Sequence, residues 1–121
     1  MPLSIDVDRR ANRPTFTLAG DLDMLTAPQL TGRVAHAVDR GATEVVLDAE
    51  RLEFCDSSGL AALVRLAQQL DGGTVTIRDP RPIVRRLLEV SGTIDVFVVT
   101  GRPTVDGGRP GVATAGTLSS A

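Results

Sequence analysis

The sequence predicts an α/β domain: a mixed, mostly parallel sheet of about four to five strands, opened by a β-hairpin, with three helices mainly on one face. Three observations carry this. Segments of period two alternate with apolar stripes of helical spacing, in the order β-β-α-β-α-β-α-β. The first two strands have only a turn between them, which requires an antiparallel pair, whereas each later pair has a helix between and can be parallel. Residues 3–8 alternate apolar and polar, as a sheet covered on one face does; a sheet buried on both faces would read as continuous apolar runs.

The elements follow in order. Leu3, Ile5 and Val7 point one way, Ser4, Asp6 and Asp8 the other. Residues 9–14 read as a turn. A second strand covers 15–19, with Phe16 and Leu18 inward, and Gly20 ends it. Thr26 is placed as the N-cap of a first helix, with Pro28 in the first turn, where a missing N–H costs little. Leu30, Val34, Ala37 and Val38 form its stripe and Gly41 its stop. Residues 44–47, with β-branched Val45 and Val46 and apolar Leu47, read as a short central strand. Leu60, Leu63, Val64, Ala67 and Leu70 mark a second helix, stopped at Asp71-Gly72-Gly73. Residues 74–78 alternate, with Val75 and Ile77 inward. A third helix starts at Asp79-Pro80, carries Ile83, Leu87 and Val90 on one face and ends at Ser91-Gly92; residues 96–99 are the last strand. From 101 to 121 the chain holds five Gly and two Pro and few large apolar side chains. Such a composition cannot offset its ordering entropy, so a disordered tail follows a folded body of residues 1–100.

Composition narrows the function. The chain has 121 residues, 42% hydrophobic and 23% charged, with net charge −2. No Trp or Tyr and three Phe leave no stacking platform for single-stranded nucleic acid, and the charge balance is the reverse of a phosphate-backbone binder's. All 13 basic residues are Arg, so neither a Schiff-base Lys nor a Walker Lys exists. One Cys and one His exclude an internal disulfide, a Cys-rich zinc site and any site of two imidazoles within the chain. No apolar run is long enough to span a membrane, and the N-terminus lacks the pattern of a signal peptide, so the expected compartment is the cytoplasm, with neither membrane nor nucleic acid as partner.

The most informative stretch is Phe54-Cys55-Asp56-Ser57-Ser58-Gly59-Leu60. An apolar run stops, three small polar residues follow, and a helical stripe begins at once. Two hydroxyls therefore stand at a helix N-terminus, beside N–H groups without intrahelical acceptors. One reading is structural: a Ser caps the helix and Gly59 permits close packing. The other is a modification site. Phosphorylation adds roughly 1.5 to 2 negative charges, which a helix N-terminus can accommodate. Asp21, Asp23 or Asp56 would add like-charge repulsion, so a partner interface would suffer before the fold. Physics leaves Ser57 and Ser58 equal at this point.

These residues resemble those of a known family. Gly20-Asp21-Leu22-Asp23 followed by Thr26-Ala27-Pro28-Gln29-Leu30 is similar to the early segment of bacterial anti-sigma factor antagonists, which are STAS domains. Asp56-Ser57-Ser58-Gly59-Leu60 resembles that family's phosphoacceptor motif, and Pro82 to Leu88 with Ser91-Gly92 resembles its third helix and following turn. The match spans residues 3–100. Asp21 stands where the family more often has Glu.

The resemblance implies a binding protein without enzymatic activity or cofactor. Unphosphorylated, it would bind an anti-sigma factor, a serine kinase that itself holds ATP and Mg²⁺, and so free a sigma factor. Phosphorylation at Ser57 would separate the pair, and a phosphatase would reset it. The implied partner-binding residues are Asp21, Asp23, Thr26, Asp56, Ser58, Gly59, Leu60 and Leu63. The alternative on the same fold is a STAS scaffold or a transporter-associated regulatory subunit with no sigma factor involved. A serine hydrolase is disfavoured, since the segment is not Gly-x-Ser-x-Gly and the single His36 belongs to another helix. Cys55 reads as a core residue, His36 as surface, and Arg85 and Arg86 as a solvated helix face.

Overall fold

A computed structural model describes residues 2–9 and 13–101. Nine elements follow in order: β1 (Ser4–Asp8), β2 (Thr15–Leu22), α1 (Ala27–Asp39), β3 (Glu44–Cys55), α2 (Ser57–Gln69), β4 (Thr74–Arg78), α3 (Pro82–Val90), a 3₁₀ turn (Ile94–Val96) and β5 (Val98–Thr100). The five strands form one sheet in the order β1-β2-β3-β4-β5. β1 pairs antiparallel with β2, and every later pair is parallel. Each crossover steps one place in the same direction. Right-handed crossovers therefore set all three helices on the same face, and buried residues of all three share one core.

Phe16, Leu18 and Leu22 of β2, Val45 and Leu47 of β3 and Val75 and Ile77 of β4 meet Leu30, Val34, Ala62, Leu63 and Leu66 in that core. A fully buried Leu or Phe contributes roughly 1.5–3 kcal/mol. The other face carries polar rows. One runs Asp6, Thr17, Asp48, Arg78, Thr100, with Arg78 and Asp48 paired at 2.9 Å.

The expected order of elements is found, and the structure corrects several details. The second strand does not end at Gly20 but runs to Leu22, and the strand starting at Glu44 runs to Cys55. Register shifts between Thr17 and Ala19 and between Gly20 and Asp21 place extra residues in β3. Gly20 has φ +107°, and a Cβ there would strike the Pro2 carbonyl oxygen, so only Gly lets the chain turn and continue.

α2 buries Gly59, Ala62, Leu63 and Leu66, a stripe turned from the expected one; Leu60, Val64 and Ala67 are half-buried at its margin. α3 buries Val84 and Leu88, with Leu87 at the margin, and leaves Ile83 and Val90 exposed. It begins at Pro82, not at Asp79-Pro80: Arg81 precedes a proline and stays extended, φ −63° and ψ 156°. Arg85 pairs with Glu89 at 3.3 Å across one turn, and Arg86 is exposed. The tail expected over 101–121 lies outside the described residues beyond Gly101.

Candidate functional site

The parallel ends of β2 and β3 bring the two sequence motifs together. Leu22 lies opposite Cys55, and the Asp56 amide donates to the Leu22 carbonyl at 3.2 Å. The loop after β2 and the start of α2 are thus neighbours through backbone pairing, although their residues are more than 30 positions apart.

Asp56 is the N-cap of α2. Its backbone is extended and its carboxylate accepts from the Gly59 amide at 2.8 Å. The expectation of a capping serine is corrected: the cap belongs to Asp56 and both hydroxyls are left over. Ser57 is exposed and Ser58 half-buried, and neither side chain bonds another described residue. The first intrahelical bond runs from the Leu60 amide to the Asp56 carbonyl at 2.9 Å. Gly59 is buried: a Cβ there would meet the Leu22 carbonyl oxygen, and Leu22 Cγ at 2.9 Å and Cys55 Sγ at 3.0 Å. This close approach seats α2 against the end of β2.

The loop between β2 and α1 is locked by its own side chains. One Asp23 carboxylate oxygen accepts from the Leu25 amide at 2.9 Å and the Thr26 amide at 3.0 Å. The Thr26 hydroxyl accepts from the Asp23 amide at 2.9 Å, and lies 2.8 Å from the Asp21 carbonyl and 3.2 Å from the Asp23 carboxylate, sharing its proton between them. Thr26 holds the N-cap position of α1, as expected, but its hydroxyl bonds backward into the loop instead of capping the helix. Asp23 therefore acts first as a loop clamp.

Burial divides the expected partner-binding residues. Asp23, Asp56, Ser58 and Leu60 are half-buried at the surface. Thr26, Gly59 and Leu63 are buried and lie beneath that surface. Asp21 alternates with inward Leu22 and faces the side of the sheet away from the helices. Two residues escaped the sequence reading. Met24 is 69% and Leu25 82% exposed, together forming an apolar knuckle beside the start of α2. The available signal was two large apolar residues between Asp23 and a helix N-cap, belonging to no stripe.

Cys55 ends β3 directly under the serines. Burial, reinforced by the Asp56 charge, pushes its thiol up from 9.0 to about 12. The folded state therefore holds this proton more tightly than the unfolded chain. The resulting stability is complete below pH 9 and is lost progressively toward pH 12. The chain has no Tyr and no Lys, so this limb belongs to one thiol. Urea midpoints should fall with pH above 9 in the wild type and stay flat in Cys55→Ala. Parallel falls in both would contradict this assignment.

Among the described residues no group of His, Cys, Asp and Glu could hold a metal ion, and no helix is long and apolar enough to cross a membrane. The family model described as "Mlab, STAS domain" matches residues 5–99. The Bordetella bronchiseptica protein BtrV, which bears the name anti-sigma factor antagonist, is 36% identical over 84 residues, covering 68% of this chain and 72% of that protein. The anti-sigma F factor antagonist of Paenibacillus polymyxa is 29% identical over 102 residues, covering 82% and 87%. The crystal structure of an anti-sigma factor antagonist from Mycobacterium paratuberculosis superposes with a TM-score of 0.74 at 25% identity, over 86% of this chain and 88% of that one. The chain belongs to the STAS-domain anti-sigma factor antagonist family.

Proposed function

We propose that this protein is a cytoplasmic anti-sigma factor antagonist whose binding is switched off by phosphorylation of Ser57. The observation that carries the reading is the exposed Ser57 hydroxyl, free of any described partner because Asp56 has taken the cap. Ser58, at the next position, is half-buried, which favours Ser57 as the acceptor.

Unphosphorylated, the surface made by the start of α2 and the Asp23–Thr26 loop docks on an anti-sigma factor that is itself a kinase. Docking displaces the sigma factor. ATP and Mg²⁺ are held by the kinase. The Ser57 oxygen attacks the γ-phosphorus, the bond to the ADP oxygen breaks, and the hydroxyl proton passes to a base on the kinase. The chain's one imidazole, His36, is exposed in the last turn of α1 and is not that base. The chain contributes a hydroxyl and no catalysis of its own.

The product is tolerated by the fold and not by the interface. The Ser57 and Ser58 amides and the helix dipole can receive the phosphate, which limits its cost to α2. The same dianion stands beside Asp56 and Asp23 and must be desolvated whenever a partner covers it. Dissociation follows, and a phosphatase restores the free hydroxyl.

Incubation of the full chain with ATP and the anti-sigma kinases of its source organism tests this. One phosphoryl group, mapped to Ser57 by mass spectrometry, with loss of the complex on gel filtration, is the expected result. Modification at Ser58 alone, or no complex with any such kinase and co-purification with a membrane ATPase instead, would overturn it. The second outcome would point to a transporter-associated subunit.

A further inference from the structure

Beside Ser58 a groove of about 230 Å³ opens between α1 and α2, lined by Met24, Ala27, Pro28, Thr31, Ser58 and Arg65. It is smaller than a typical small-molecule site, which takes roughly 300–1,000 Å³. It has room for a side chain or two of another protein. Its character is divided. Met24, Ala27 and Pro28 make one end apolar. Arg65 makes the other end cationic, is exposed, and has no hydrogen bond or ion pair with any described residue. Ser58 and Arg65 are seven residues apart on α2, about 10 Å along the helix axis.

We infer that this groove is the specificity pocket for the anti-sigma partner, and that it takes a segment presenting an apolar side chain to Met24 and Pro28 and a carboxylate to Arg65. The inference rests on the proposed function and adds to it the chemistry of the partner's contact segment. An unpaired guanidinium at the rim of an apolar groove is left open for a bidentate carboxylate. A neutral or basic segment would leave it unpaired on burial, which disfavours other partners.

Arg65 lies two helical turns from Ser57 and plays no part in phosphoryl transfer, so its loss should raise KM for phosphorylation and leave kcat unchanged. The test uses the full chain and the purified anti-sigma kinases of the source organism, with Arg65→Glu, Arg65→Lys and Met24→Asp, each checked for an unchanged thermal midpoint. Arg65→Glu and Met24→Asp should each weaken binding at least tenfold. Arg65→Lys, which keeps the charge and loses the bidentate fork, should bind more weakly than wild type and more tightly than Arg65→Glu, and salt should weaken wild type more than Arg65→Glu. If wild type binds no kinase, the proposed function fails and this inference with it. If wild type binds and either variant stays within twofold of it, or Arg65→Glu lowers kcat at unchanged KM, the groove reading alone is overturned.

Discussion

Ser57→Ala will remain bound to its anti-sigma partner through incubation with ATP, while Ser57→Asp will bind at least tenfold more weakly than wild type. The alanine removes an exposed hydroxyl with no described partner, so neither fold nor docking surface changes. It also removes the atom that the proposed switch has the kinase modify. The aspartate places a charge where Asp56 and Asp23 already stand. All three groups belong to this chain, so the loss comes from desolvating an added unpaired charge when a partner covers it, several kcal/mol for a fully buried ion, and each 1.4 kcal/mol is a factor of ten. One carboxylate carries less charge than a phosphate, so its effect is a lower bound on that of phosphorylation. Calorimetric titration with and without ATP reads both variants. Release of Ser57→Ala by ATP would sink the switch at this residue.

Gly59→Ala will destabilise the domain by about 3 kcal/mol, near the upper end for overpacking, lowering the melting temperature by roughly 10–20 °C. Propensity alone predicts the opposite sign, since Ala is favoured over Gly inside a helix by about 1 kcal/mol. Space decides. The new Cβ meets the backbone oxygen of Leu22 and lies 2.9 Å from Leu22 Cγ and 3.0 Å from Cys55 Sγ. No flexible side-chain end can swing away from the backbone contact, so α2 must lift from β2. Gly32, in the middle of α1, provides the control: a Cβ there meets nothing within 4 Å. Gly32→Ala should stabilise by about 0.5–1 kcal/mol. Thermal melts of the pair that moved in the same direction would refute the packing argument.

What the sequence disclosed about the fold depended on how regular each element is. β4 keeps strict alternation without a bulge, and its ends were legible to the residue, Thr74 and Arg78. β3 was seen only in its first four positions, because register shifts against β2 change its buried residues from Val45, Leu47 and Ala49 to Leu52 and Cys55. Period two is broken there, and no local signal tells a bulged strand from a loop. α3 has five apolar residues in nine. Val84 and Leu88 make as good a stripe as Ile83, Leu87 and Val90, and only the sheet beneath selects between them.

The candidate site divides in the same way. The nearness of Asp23 to Asp56 and Ser57 rests on the pairing of Leu22 with Cys55, which the motifs suggested and β-pairing supplies. Which side chain caps α2 was not legible, because Asp, Ser and Ser are all good caps and stand in a row. The knuckle of Met24 and Leu25 was hidden for another reason: large apolar side chains are read as core unless a structure leaves them outside.

The clamp made by Asp23 and Thr26 has a kinetic consequence. Four hydrogen bonds of 3.0 Å or less fix this loop before any partner arrives. Met24 and Leu25 therefore have little backbone freedom left to lose on docking, and the ordering penalty borne by a mobile loop does not arise. Encounter needs no prior rearrangement of this surface, so association should run near the rate set by diffusion and orientation. On the proposed switch, a phosphate at Ser57 would shorten the lifetime of the complex more than it slowed its formation, and partner exchange would be timed by that chemistry, with no slow folding step on this side of the interface.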